Sequence, residues 1–213
     1  MKPPDRQSVT LAIVVPCFNE GEMLSISVPI LVSFLDDLIA NHHCSPNSFI
    51  VCIDDGSRDD TWDLINGAAG KGHGRIRGIR LACNVGHQAA LLSGLEYAAT
   101  RCDAAVSIDA DLQDDLAAIP MMLREFRSGA EIVLGVRVSR TVDTWFKRNT
   151  AIYFYKLMKW MGVDLVENHA DFRLLSSTVL HNLKGFSEVN LFLRGLPPLL
   201  HREISTVEYR RAE

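Results

Sequence analysis

Ala104-Ala105-Val106-Ser107-Ile108-Asp109-Ala110-Asp111-Leu112-Gln113-Asp114-Asp115 changes character halfway along. Its first half is short, apolar and β-prone, the pattern of a buried strand. Its second half sets four carboxylates close together. Asp109 and Asp111 are two apart, so an extended backbone continued through them sends both side chains from one face. Two hard oxygen donors at the end of a buried strand suit Mg²⁺ or Mn²⁺, and such an ion would hold a diphosphate. The same residues also read as a polar loop whose aspartates cap the next helix near Leu116. That second role fits Asp114 and Asp115 best.

Upstream, strands and helices alternate. Val9 to Val15 is apolar and β-branched and reads as a first buried strand, ended by Pro16. Asn19 is expected to cap the helix that follows, with Glu20 and Glu22 in its first turn. Ile26 to Ala40 has helical spacing, with Pro29 near the helix start or at a kink. Phe49 to Ile53 is a second buried strand. It runs into Asp54-Asp55-Gly56-Ser57-Arg58-Asp59-Asp60-Thr61, a turn in which Ser57 or Asp59 can cap a helix over Thr61 to Ala69. Gly70 to Gly74 reads as a loop and Ile76 to Leu81 as a third, weaker strand. Asn84-Val85-Gly86-His87 introduces a helix over Gln88 to Thr100, where Gly94 allows close packing.

Downstream of the acidic cluster, Ile119, Met122, Leu123 and Phe126 mark an amphipathic helix ending at Gly129. Glu131 to Gly135 is a further strand that leads into Arg137. This alternation predicts an α/β layered domain with a largely parallel sheet. Ligands of such sheets sit outside the strands' carboxyl ends. Glu20, Asp54, Asp55, Asp109 and Asp111 all fall on that edge.

The last third differs. Trp145 to Met161 is aromatic and basic. It reads as a helix packing its aromatic face on the core, and also as an amphipathic surface lying against anionic lipid headgroups. Glu167 to Leu175 reads as a polar loop leading to a short strand. Ser177 to Leu183 and Asn190 to Leu193 look helical, Pro197-Pro198 stops the second of these, and Glu203 to Tyr209 reads as a final strand.

Composition narrows the classes. With 213 residues, 47% of them hydrophobic, the chain can build one sizeable core. A net charge of −4 points away from nucleic acid. No window of about 20 uninterrupted apolar residues marks a membrane span, and the first residues lack the apolar run of a signal peptide. Cys17, Cys44, Cys52, Cys83 and Cys102 show no C-x-x-C spacing and read as reduced thiols of an intracellular protein. No H-x-x-x-H pair supports zinc. The first strand is not followed by G-x-G-x-x-G, and neither G-x-x-x-x-G-K-[ST] nor G-x-S-x-G occurs. Dinucleotide-binding Rossmann enzymes, P-loop NTPases and α/β-hydrolases are therefore excluded. Phosphate charge must be met by metal and arginine.

Taken together, these segments resemble the family 2 glycosyltransferases. Val14-Val15-Pro16-Cys17-Phe18-Asn19-Glu20 resembles V-P-x-[FY]-N-E, and Asp54-Asp55-Gly56-Ser57 with Asp60 and Thr61 resembles D-D-G-S-x-D-x-T. Asn84-Val85-Gly86 followed by Ala89-Ala90-Leu91-Leu92-Ser93-Gly94 resembles N-x-G-x-x-x-A-x-x-x-G. Asp109-Ala110-Asp111-Leu112-Gln113 resembles the D-x-D-L-Q metal motif. Gly135-Val136-Arg137, Asp171-Phe172-Arg173-Leu174-Leu175 and Asn190 to Gly195 are similar to segments of the polyprenyl-phosphate sugar transferase branch. One departure is Asp115-Leu116, where the family has proline soon after D-L-Q; it alters the helix start and leaves the metal ligands alone.

The resemblance implies a GT-A fold: a Rossmann-like, mostly parallel (mixed) sheet flanked by helices. It implies one domain over 1–213, with a nucleotide-sugar half at about 9–136 and an acceptor half at about 137–213, as the soluble part of a longer protein that continues into transmembrane helices. Its implied donor residues are Pro16, Asn19, Glu20, Asp54, Asp55, Gly56, Asn84, Gly86, Asp109, Ala110 and Asp111, with Asp109, Asp111 and Gln113 holding Mg²⁺ or Mn²⁺. Arg137 is expected to pair with a phosphate, and Arg140, Lys147 and Arg211 with the acceptor phosphate. Asp171 is the candidate general base for an alcohol acceptor; for a phosphate acceptor it would orient, and it can also simply pair with Arg173.

The expected reaction is inverting transfer of a hexosyl group from a UDP- or GDP-sugar to polyprenyl phosphate, at the cytoplasmic side of the cell membrane, for envelope glycans. The alternative acceptor is a sugar hydroxyl of a surface polysaccharide. A nucleotidyltransferase would want a Gly-rich basic loop after the first strand, which is missing. A binding module without turnover is argued against by Asp109, Asp111 and Asp171.

Overall fold

The structure is a computed structural model that describes residues 8–71, 74–137, 169–183 and 203–209. The expectations for Trp145 to Met161, for Asn190 to Gly195 and for Arg140, Lys147 and Arg211 lie outside the described residues.

The described elements run β1 (Leu11–Cys17), α1 (Gly21–Ala40), β2 (Phe49–Asp54), α2 (Thr61–Lys71), β3 (Ile76–Arg80), α3 (His87–Ala99), β4 (Ala104–Ser107), α4 (Ala118–Ser128), β5 (Ile132–Arg137), β6 (His169–Ser176), α5 (Ser177–Leu183) and β7 (Ile204–Tyr209). The strands form one sheet in the order β3-β2-β1-β4-β6-β5-β7. Strands β3, β2, β1 and β4 are mutually parallel. β6 is antiparallel to both its neighbours, β4 and β5, and β7 runs parallel to β5. Among the described strands only β6 runs against the rest, so the sheet is mixed and mostly parallel, as expected.

Period-two alternation divides the core between the two faces. Leu11, Ile13, Val15, Ile50 and Cys52 pack on one side with Leu24, Leu31 and Leu35 of α1, Ile65 of α2, and Ile119, Met122 and Phe126 of α4. Ala12, Val14, Phe49, Val51 and Ile53 pack on the other with Ala90, Leu91 and Leu95 of α3, and Val179 and Leu180 of α5. Helices therefore cover both faces, which is why β1 and β2 read as unbroken apolar runs. Gly94 lets α3 touch the sheet: a Cβ there would lie 2.4 Å from Ile53 Cδ1 and 2.7 Å from Val14 Cγ1.

α1 begins at Gly21, five residues earlier than the apolar spacing suggested, so Pro29 lies inside it. It is long and apolar enough to cross a membrane, with a mean hydropathy of 1.8. Its Leu24, Leu31, Leu35 and Leu38 are buried against the sheet, whereas Ile26 and Ile30 are exposed and only 28% of the apolar window is buried. Within the segment read as a polar loop leading to a short strand, Glu167 to Leu175, the described residues belong to strand β6, which is longer than expected.

Candidate active site

A cleft of about 300 Å³ opens at the carboxyl ends of the parallel strands. Pro16, Cys17, Phe18 and Glu20 line it from the end of β1, and Asp55 from the end of β2. Asn84, His87 and Ala90 come from the start of α3, and Asp109, Ala110 and Asp111 from the loop after β4.

Three loops build this cleft by binding one another. Asn19, in the left-handed region at φ 54, accepts from Arg58 N at 2.9 Å and donates its own N–H to Ser57 Oγ at 2.9 Å. Glu20 N donates to Thr61 Oγ1 (2.9 Å), and Gly21 N donates to Asp59 Oδ2 (3.0 Å). Asn19 therefore does not cap α1 as expected; that helix start is satisfied by Asp59 from the next loop, which also caps α2 by accepting from Thr61 N. The cap of α2 is thus Asp59, not Ser57.

Asp54 and Asp55, both expected at the donor, take different places. Asp54 is fully buried and does not line the cleft. It accepts from Ser57 N at 2.9 Å, and its Oδ2 faces Arg80 Nε at 3.5 Å. The strand register is the cause: Asp54 is still a ladder residue, paired with Cys17 and Arg80. Asp55 is the residue that reaches the cleft wall, where it accepts from Val85 N (2.7 Å) and Gly86 N (2.9 Å). Gly56 makes the turn possible. Its φ is +68, and a Cβ would lie 2.6 Å from Asn84 N. Gly86 (φ 92) immediately precedes α3.

The ladder of β4 stops at Ser107, yet the alternation persists. Ile108 and Ala110 remain in the core, at 2% and 3% exposure, so Asp109 and Asp111 share the opposite face, as the spacing predicted. Leu112, at φ 50, then turns the chain. Gln113 is exposed and does not line the cleft. Burial, then the charges of Asp111 and Asp109, raises the Glu20 carboxyl above its usual range. Burial also raises Asp109, opposed by His87 and reinforced by Asp111, Asp114 and Asp171.

Asp171 joins this cluster because β6 lies beside β4. Ser107 pairs with Arg173 in antiparallel register, and two further places bring Asp171 level with Asp109. Ser107 Oγ donates to the Asp171 carbonyl. The Asp171 carboxylate pairs with the buried Arg173 and accepts from Gln88 Nε2 at 3.3 Å. His87 Nε2 stands 3.8 Å from Asp109 Oδ1 and 3.9 Å from Asp171 Oδ2. Nothing singled out His87 in the sequence beyond its place at the head of a patterned helix.

Asp114 also departs from expectation. Asp114 does not cap α4; it is buried, and its Oδ1 accepts from Tyr209 OH (2.6 Å), Arg137 Nε (3.2 Å) and Arg137 Nη2 (3.0 Å). Asp115 keeps the turn role and accepts from Ala117 N at 2.9 Å. Arg137 does not line the cleft, and the Nε side of its guanidinium is bonded to Asp114 and Tyr209.

Two carboxylates form a thin metal set, and among the described residues no trio of His, Cys, Asp or Glu converges to cage an ion. Mg²⁺ or Mn²⁺ fits on other grounds. These ions keep waters and take substrate phosphates as ligands, and the crowded negative charge that raises Glu20 and Asp109 is charge a divalent cation would offset.

A mixed sheet covered on both faces, with an acidic cleft where its parallel strands end, defines the GT-A class of sugar-nucleotide folds. Solved structures agree. The mannosyltransferase PcManGT from Pyrobaculum calidifontis, in complex with GDP-Man and Mn²⁺, superposes with a TM-score of 0.67 over 99% of this chain and 58% of its own, at 16% identity. TarS of S. aureus gives 0.58 over 93% of this chain and 58% of its own, at 15% identity. The profile described as Glycosyl transferase family 2 matches residues 12–184, and the chain belongs to that family. Among curated relatives, the uncharacterized glycosyltransferase YkoT of Bacillus subtilis is 47% identical over 95% of this chain and 60% of its own length. The bactoprenol glucosyl transferase of Shigella phage SfV is 36% identical over 95% of this chain and 64% of its own. The chain thus spans about three fifths of the length of these relatives.

Proposed function

We propose that this chain is the catalytic domain of an inverting hexosyltransferase that uses a nucleoside-diphosphate sugar and a polyprenyl phosphate acceptor at a membrane surface. The observation that carries the reading is that His87 stands within 4 Å of both Asp109 and Asp171, beside the cleft that Asp109 and Asp111 line. It puts donor-side and acceptor-side carboxylates within one substrate's reach. The 36% identity to a bactoprenol glucosyl transferase supports the acceptor class. The aromatic, basic composition of Trp145 to Met161 supports the membrane surface.

Glu20 and Asp55 can accept hydrogen bonds from ribose hydroxyls or a base N–H. Phe18, exposed at the cleft, offers an aromatic face to a base. Asp109 and Asp111 would hold the divalent ion, whereas Gln113 is exposed outside the cleft lining. When bound, that ion supplies positive charge against the charge developing on the leaving nucleoside diphosphate.

Asp171 fits an orienting role. Taking a proton onto its carboxylate would dismantle the pair with buried Arg173. A phosphate monoester reaches the site already ionised near neutral pH, so the attacking oxygen needs no base. A sugar hydroxyl would need one, and this geometry favours the phosphate for that reason.

The test is turnover by the full-length protein with Mn²⁺ and a panel of UDP- and GDP-hexoses. Undecaprenyl phosphate is offered against free oligosaccharides. A lipid-linked hexose is the expected product. Transfer only to sugars would overturn the acceptor and leave the family untouched.

A further inference from the structure

The Asp114, Arg137 and Tyr209 triangle joins three elements distant in sequence. Asp114 closes the loop that carries Asp109 and Asp111, Arg137 ends β5, and Tyr209 ends β7 beside it in register. The three contacts form a closed set: Tyr209 OH donates to Asp114 Oδ1, Arg137 Nε donates to Tyr209 OH at 2.9 Å, and Arg137 also donates to Asp114. Tyr209 cannot easily swing away. Its ring packs edge-on against Phe172, with centroids 5.0 Å apart, and Gly135 has no room for a Cβ between them. Phe172 directly follows Asp171.

A buried ion pair is a weak source of stability compared with apolar packing, but it fixes direction. Asp114 is 4% exposed, whereas the Arg137 side chain is 36% exposed. The guanidinium therefore spans from a buried carboxylate to the carboxyl edge of the sheet. Its Nε side is committed, and no bond among the described residues uses Nη1. An arginine held on one edge presents the other edge in a set orientation, which suits a phosphate oxygen.

We infer that Asp114 and Tyr209 are positioning residues: they tether the Asp109–Asp111 loop to Arg137 so that the outer edge of its guanidinium meets a substrate phosphate. The inference rests on the proposed function in taking that phosphate to belong to the donor diphosphate or to the acceptor.

The experiment is a double-mutant cycle on the full-length protein, using Tyr209→Phe and Arg137→Lys, with kcat, both KM values and the melting temperature recorded. Tyr209→Phe keeps the ring on Phe172 and removes only the hydroxyl. It is expected to lower kcat/KM at least tenfold with the melting temperature held within a few degrees. The double variant is expected to be no worse than Arg137→Lys alone. A rise in acceptor KM assigns the phosphate to the acceptor, and a rise in donor KM to the donor. Additive losses, or a lower melting temperature with unchanged kinetics, would overturn the inference.

Nucleoside diphosphate and Mn²⁺ affinity, read by calorimetry, needs no acceptor. Asp114→Asn is expected to weaken it at least fivefold, and unchanged affinity removes the tether to the loop. If wild-type protein ignores polyprenyl phosphate while this affinity still falls, the acceptor reading fails and the tether stands.

Discussion

Glu20 and Asp109 hold their protons to higher pH in the folded protein than carboxyls ordinarily do, through burial first; Asp111 and Asp109 add to the rise at Glu20, and at Asp109 the charges of Asp111, Asp114 and Asp171 add to it against the opposing His87. Their stabilising contribution is therefore complete below the ordinary carboxyl range and is lost as pH rises through the raised values. The ligand-free protein is expected to melt at lower temperature at pH 7 than at mid-acid pH, and Glu20→Gln to flatten that slope. Each group is partly exposed, so the effect stays below about 1 kcal/mol. A flat melting profile for wild type would refute it. Asp59 has the opposite sign. Its hydrogen bond from Thr61, first, and those from backbone N–H groups lower it. Its contribution is present above the ordinary carboxyl range and lost as pH falls through the lowered value. Because Asp59 serves the first turns of both α1 and α2, Asp59→Ala is expected to cost about 1–2 kcal/mol near pH 7. Denaturant titration at two pH values checks both the size and its loss in acid.

At the scale of elements, the contact between α3 and the sheet tests the packing argument most directly. Alanine at 94 would gain up to about 1 kcal/mol of helix propensity, but its Cβ would meet Ile53 and Val14 at under 3 Å. Overpacking costs about 1–3 kcal/mol, so Gly94→Ala is expected to destabilise, with α3 displaced and nucleotide affinity reduced alongside. Equal or greater stability by calorimetry would show that the sheet yields there. Gly94 was legible in the sequence because a glycine inside a strongly patterned helix sacrifices propensity, and close packing against a neighbour offsets that loss. The strands β1, β2 and β4 were legible because both their faces are apolar. β6 was legible only as a short strand behind a polar loop, and its residues say why: Asp171 and Arg173 interrupt the apolar pattern, yet they pair with each other on the side of the site rather than facing solvent. A strand that carries site chemistry reads in part as a loop. The choice between Asp54 and Asp55 was equally hidden, since it depends on where the β2 ladder stops and on the positive φ of Gly56.

For the whole molecule, the cleft sets ligand and metal against the same unbalanced charge. Asp109 and Asp111 share a face with Glu20 opposite and Asp171 nearby, and His87 is the basic side chain among the described lining residues. A nucleoside diphosphate entering alone meets like charge. A divalent ion entering alone finds two protein carboxylates and must keep most of its water. Each completes the other's surroundings, so their binding should be cooperative, and the coupling must be the same in both directions. A ligand at a hundred times its dissociation constant adds about 2.7 kcal/mol, which in a domain of this length raises the melting temperature by about 5–10 °C. Mn²⁺ together with the right nucleoside diphosphate is therefore expected to produce that shift, while either alone gives less than a third of it. Asp111→Ala is expected to keep the unliganded melting temperature or raise it, because it removes repulsion, and to abolish the joint shift. Thermal melts of wild type and Asp111→Ala with metal, nucleotide, both, and both plus chelator decide the matter. Shifts that merely add, or that survive in Asp111→Ala, would mean that the acidic loop after β4 does not bring ion and diphosphate together.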